Sequence, residues 1–114
     1  MKWERGRQGE GYLKLTLFSS RLLKCDCHVI RLPQGSRVPP HRDPCPPGYE
    51  HHRVNITLRR AKKGGRTFFE RPPHPRGRIY RFRPDVVHHW VTMVTEGSLW
   101  LFSVGWLKRE TNHR

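Results

Sequence analysis

Arg53-Val54-Asn55-Ile56-Thr57-Leu58-Arg59-Arg60 sets Val54, Ile56 and Leu58 at every second position, with Arg53, Asn55 and Thr57 on the alternate ones. Successive side chains of an extended chain point to opposite faces, so a period of two reads as a strand. Taken alone, the alternation predicts that the aliphatic residues face a core and that Arg53, Asn55 and Thr57 face water.

The same reading extends in both directions. Upstream, Leu13, Leu15 and Leu17 alternate with Lys14, Thr16 and Phe18, and a second run, Cys25–Leu32, ends at the turn residues Pro33-Gln34-Gly35. Pro39 and Pro40 force 36–41 out of helical space, and Pro44-Cys45-Pro46-Pro47-Gly48 predicts an irregular loop. Downstream, Lys62-Lys63-Gly64-Gly65 predicts a turn into a short strand over 66–70, and the Pro-rich 71–77 predicts a loop. Segments 78–82, 89–94 and 99–106 complete about eight short strands, with Glu96-Gly97 as the last turn. No segment reads as a helix.

That count predicts an all-β fold, a jelly roll or double-stranded β-helix near its minimum length. A chain of 114 residues, 34% of them hydrophobic, suits one thin two-sheet sandwich. The expected organisation is a flexible N-terminal segment at 1–11, a single domain at 12–107 and a basic C-terminal tail at 108–114. No apolar run reaches membrane length and the N-terminus lacks the apolar stretch of a signal peptide, which predicts a cytoplasmic protein with no membrane partner. Three cysteines, Cys25, Cys27 and Cys45, are an odd number for a disulfide framework, and without a second C-x-C or C-x-x-C they make no zinc site. Free thiols are the expectation.

Charge stands out: 23 Lys and Arg against 9 acids give +14 with histidine neutral. Such a surface attracts polyanions. It is equally consistent with a plain solvated surface, and sequence leaves open nucleic acid, a protein substrate and pairing of the chain with itself through an exposed strand edge. Trp90, Trp100 and Trp106 have strand spacing and serve either packing or the stacking of a base.

His41-Arg42-Asp43 carries the chemistry. An imidazole and a carboxylate two residues apart share a face of an extended chain. They suit a hard-to-borderline ion such as Fe(II), and a third ligand on the same side leaves three positions open. His88 and His89 are the candidates, and as strand neighbours only one of them can serve.

Context strengthens the motif. Gly35 stands six residues before His41 and Pro84 five before His89; Arg53-Val-Asn-Ile-Thr-Leu58 and Gly64-Gly65-Arg-Thr-Phe-Phe69 lie between the ligand segments, and His89-Trp-Val-Thr-Met-Val-Thr-Glu-Gly97 follows. This order resembles the Fe(II)/2-oxoglutarate-dependent oxygenases, most of all their aspartyl/asparaginyl and prolyl hydroxylase branches, over roughly residues 29–106. Their pattern runs H-x-D, R-x-[HN]-x-x-L, a G-G strand, then H-x-V-x-x-V-x-x-G-x-R. His89, and not His88, gives H-x-V-x-x-V-x-x-G.

The resemblance implies that His41, Asp43 and His89 hold Fe(II), that Arg53 pairs with the carboxylate of 2-oxoglutarate, and that Asn55 lines the same pocket. It thereby turns the Arg53 face inward and leaves Val54, Ile56 and Leu58 to be covered, most simply by the N-terminal strand. The activity implied is hydroxylation of a C–H bond coupled to conversion of 2-oxoglutarate to succinate. The family's distal arginine is replaced here by Leu99. That departure keeps two alternatives in view: a cupin-like metal-binding protein without oxygenase activity, and a basic nucleic-acid-binding module.

Overall fold

The structure is a computed structural model describing residues 3–5, 11–71, 74–76 and 78–110. Its strands are β1 (Trp3–Arg5), β2 (Leu13–Ser20), β3 (Cys25–Leu32), β4 (Val38–His41), β5 (Tyr49–Arg59), β6 (Lys63–Gly64), β7 (Thr67–Phe69), β8 (His74–Arg76), β9 (Ile79–Phe82), β10 (His89–Val91), β11 (Val94–Glu96) and β12 (Leu99–Arg109). No helix occurs among the described residues, so none is long and apolar enough to cross a membrane.

All pairings are antiparallel. One sheet has the order β1-β2-β3-β12-β5-β9-β8, a second β4-β10-β7, and β11 pairs with β6. This is the expected jelly-roll architecture with more strands, of which β5 and β12 are longer than expected. β1 falls in the segment expected to be flexible. β8 falls in the Pro-rich loop; it is the terminal strand of its sheet, where a proline's missing N–H costs no ladder bond. The turn at 62–65 contributes β6, and Gly64 is required there, since at φ 72° a Cβ would collide with the Met93 carbonyl. The expected strand 89–94 divides into β10 and β11, and β12 runs on to Arg109, beyond the expected domain boundary, because Lys108 and Arg109 still pair with Glu50 and Tyr49.

Facing is the larger revision. Along β12, Leu99, Leu101, Ser103 and Gly105 are buried, while Trp100, Phe102, Val104 and Trp106 between them are only half-buried. Leu101 pairs with Thr57, Ser103 with Asn55 and Gly105 with Arg53, so the inward face of β5 is its polar face. Arg53 and Thr57 are each 8% exposed, against 50% for Leu58. The alternation had the right period, but the polar side faces the interior. The N-terminal strand does not cover the aliphatic side; β2 pairs with β3 and extends the same sheet.

The apolar core is correspondingly small and local. Leu32, Val38, Val91, Val94, Leu99 and Leu101 cluster between the sheets, with Tyr12, Ile30 and Ala61 packed against them. The remaining interior holds polar groups around a cavity.

Candidate metal centre

β4 and β10 are hydrogen-bonded neighbours, with His41 and His89 directly opposite one another. Cross-strand partners present side chains to the same face, and the two imidazole centroids lie 4.2 Å apart. Asp43 follows two residues after His41, its N–H anchored to the Pro84 carbonyl at 2.7 Å. One donor atom from each of His41, Asp43 and His89 lies within 4.8 Å of the others.

The tautomers favour metal binding. His41 Nδ1 donates to the Pro39 carbonyl at 2.9 Å and His89 Nδ1 to the Val87 carbonyl at 3.0 Å. Each ring therefore turns its Nε2 toward Asp43 Oδ1, at 3.3 and 3.9 Å. Fixing Nδ1 so that Nε2 can ligate is the usual outer-shell arrangement of metal-binding histidines. Burial lowers the pKa of His89 against the opposing hydrogen bond to Val87, and the charge of His41 adds to the fall. Burial alone would raise Asp43, but the His41 hydrogen bond and the charges of His89, His41 and Arg53 bring it below the ordinary carboxylate value. For His41 the burial penalty is outweighed by bonding to Asp43 and Pro39, and its pKa rises. A neutral His89 beside an ionised Asp43 suits a divalent cation. Phe82 closes the far side, its ring 5.1 Å from that of His89.

His88, the competing candidate, lies outside the cluster. It is exposed and bonds Glu70 through Nδ1 at 3.2 Å.

His41, Asp43 and His89 line a cavity of about 240 Å³ whose wall includes the inward face of β2, β3, β5 and β12. Arg53 and Asn55 both line it. Arg53, however, is already engaged: Nη2 donates to Asp26 Oδ1 and Nη1 to Ser103 Oγ, each at 2.7 Å, and Ser103 Oγ in turn donates to Asn55 Oδ1 at 2.6 Å. Leu99 does not line this cavity; it is 3% exposed, within the apolar core. Leu101 and Ser103 are the β12 residues that reach the cavity.

Sequence reasoning missed four groups here. His51 lines the cavity with its Nε2 accepting from Arg53 Nη2 at 3.3 Å, so its proton sits on Nδ1, which is buried without a partner. Burial and then the Arg53 charge lower its pKa. Asp26 and His28 form a second polar pair 3.2 Å apart, and Lys14 reaches the cavity from β2 with no hydrogen bond or ion pair to a described residue. The alternation of β2, β3 and β5 carried their facing, once it was known that polar residues point inward.

No protein-family model and no curated protein matches this sequence. Among solved structures the chain resembles cupin barrels. A cupin-2 domain from Rhodospirillum rubrum superposes with TM-score 0.60 at 15% identity, covering 95% of this chain and 68% of the other. A cupin 2 conserved barrel domain protein from Rhodopseudomonas palustris gives TM-score 0.60 at 15% identity, covering 97% and 71%. A cupin-like protein from Thermotoga maritima gives 0.54 at 16%, covering 96% and 90%. At such identities the likeness establishes the fold, a cupin-like jelly roll.

Proposed function

We propose that this chain is a cupin-like metalloprotein that holds one divalent ion on His41, Asp43 and His89 and receives a small anion in the adjoining cavity. The observation that carries the proposal is the convergence of two oriented Nε2 atoms and Asp43 Oδ1 within 4.8 Å. Two imidazoles and one carboxylate suit Fe(II) and leave three positions open for exogenous ligands. Beside them, the carboxylates of Asp43 and Asp26 face a divalent ion and the side chains of Arg53 and Lys14, a positive surplus that favours an anionic ligand.

The resemblance extends this reading to 2-oxoglutarate-dependent oxygenation. Lys14 makes no hydrogen bond or ion pair with a described residue, and we assign it the distal carboxylate, a role for which Leu99 is misplaced and Arg53 already engaged. Asn55 and Ser103 offer polar contacts on the wall, while Ile30, Leu32, Val91 and Leu101 exclude water from the other side. With both bound, Fe(II) and 2-oxoglutarate supply O2 activation and C–H hydroxylation; the chain supplies orientation and a dry pocket.

The alternative, a metal-binding cupin without oxygenase activity, is favoured by the saturation of Arg53. Anaerobic titration with Fe(II) and 2-oxoglutarate separates the two. A visible metal-to-ligand charge-transfer band, lost in Asp43→Ala, supports the oxygenase. Stoichiometric iron without the band removes 2-oxoglutarate and leaves the metalloprotein.

A further inference from the structure

The outward face of the seven-stranded sheet is unlike an ordinary solvated surface. Trp100, Phe102, Val104 and Trp106 lie along β12 with Val29, Cys27 and Cys25 beside them on β3 and Ile56, Val54 and His52 on β5. All ten are half-buried, each keeping part of its side chain open to solvent. Contiguous exposed apolar surface of this kind marks an interaction site.

Its charges say what it fits. The Arg31 guanidinium lies 5.4 Å from the Trp100 ring centroid and that of Arg81 6.0 Å from Trp106. Neither arginine makes an ion pair with a described residue, and Arg31 Nε is buried without a partner. Arg59, opposite Trp100, and Lys108, opposite Glu50, add two more cations. Glu50, an acid on the same face, is bonded to His52 at 2.9 Å. His52 itself stacks on Trp106, with ring centroids 5.8 Å apart, and Trp3 meets Trp100 edge-on at 5.9 Å.

We propose that this face binds single-stranded nucleic acid, with bases stacking on Trp100 and Trp106 and phosphates pairing with Arg31, Arg81 and their neighbours. An aromatic platform interleaved with arginines is what unpaired bases on a polyanionic backbone require. Trp100 and Trp106, six positions apart on one strand, stand about 20 Å apart at ~3.3 Å per residue, room for the two or three bases that a sheet platform stacks. A duplex keeps its bases stacked internally and offers these rings nothing. A second copy would bring four cations and one acid against the same set, a repulsive pairing. The site is on the opposite side of the sheet from the cavity and does not depend on the metal.

The test is fluorescence anisotropy of labelled 12-nucleotide single-stranded DNA and RNA and of a 12-base-pair duplex, with the intact protein across a salt series. Single strands are expected to bind more tightly than duplex and to quench tryptophan emission. Trp106→Leu should weaken binding about tenfold while Trp106→Phe, which keeps a π-face, retains most of it. Arg31→Gln with Arg81→Gln should lower the slope of log K against log salt by about 1.4, two phosphates at ~0.7 each. Asp43→Ala should bind as the parent does. Equal affinity for duplex, indifference to Trp106→Leu, equally effective competition by polyglutamate, or a stable dimer in solution that shields the tryptophans would each overturn the assignment.

Discussion

Arg53 on β5 and Asp26 on β3 are not neighbouring strand residues, yet their side chains meet at 2.7 Å across the intervening strand, β12. They do so over Gly105, the cross-strand partner of both, where a Cβ would overlap the Arg53 guanidinium. The absence of a side chain at one position of β12 is what lets a buried cation lie flat on the sheet and reach its counter-ion. Glycine inside a strand weakens it, and close approach of another group is a standard reason to find one there.

Gly105→Ala should therefore act through Arg53. With no free volume beneath the guanidinium, the methyl group forces it off Asp26 or off Ser103, at a cost of about 1–3 kcal/mol. Urea unfolding would read this as a lower midpoint with unchanged slope. A double variant that also carries Arg53→Leu should lose most of the effect, and full additivity would dissociate Gly105 from Arg53.

The same pair sets an acid limit. Burial works to raise the pKa of Asp26, but the His28 hydrogen bond and the charge and hydrogen bond of Arg53 prevail and lower it from 3.8 to about 2. A depressed folded-state pKa gives stability that is complete above the unfolded value and is lost as pH falls through the folded one. The contribution is thus present at pH 5 and disappears between about pH 4 and 2. Asp26→Asn should be less stable than the parent at pH 6, and the gap should narrow below pH 3 in thermal melts. A gap that stays constant down to pH 2 would mean that Asp26 is not ionised in the fold.

What could be read from sequence followed from local rules. Strand periods, Pro-Gly turns and the H-x-D pair are set by nearest neighbours, and they located most strands and two of the three clustered side chains, His41 and Asp43; only the resemblance chose His89 over His88. Facing was not local. Val54, Ile56 and Leu58 look like a core face, and only a resemblance to a known pattern turned Arg53 and Asn55 inward, as the structure has them. The polar partners that make such an interior affordable, Asp26 and Ser103, lie 27 and 50 residues from Arg53. No periodicity in β5 could announce them. The same limit applies to Leu99, whose place in a sequence pattern suggested a cavity position, whereas it clusters with Leu32, Val94 and Leu101 in the apolar core.

Asp43→Ala should abolish stoichiometric Fe(II) binding, because it removes the sole carboxylate of the cluster and leaves two imidazoles. His88→Ala should bind iron as the parent does, since His88 contacts Glu70 at the surface. Isothermal titration under anaerobic conditions distinguishes them. Equal losses from both would place the third ligand at His88.

Position 99 offers the sharpest contrast between pattern and structure. By pattern, Leu99→Arg would restore a distal carboxylate clamp. In the fold Leu99 is packed among Leu32, Val94 and Leu101, so an arginine there puts an unpaired charge into the apolar core. A loss of at least about 3 kcal/mol is expected, seen as a collapsed urea midpoint, with no gain in 2-oxoglutarate affinity. Lys14→Met is the productive counterpart, because it keeps the aliphatic stem on the cavity wall and removes only the charge. Iron binding should be unchanged while affinity for 2-oxoglutarate falls about 10- to 100-fold, the worth of one charge-assisted contact of ~1.5–3 kcal/mol. Undiminished affinity in Lys14→Met, with the fold intact, would take the anionic ligand away from β2 and return the search for its anchor to the groups around Arg53.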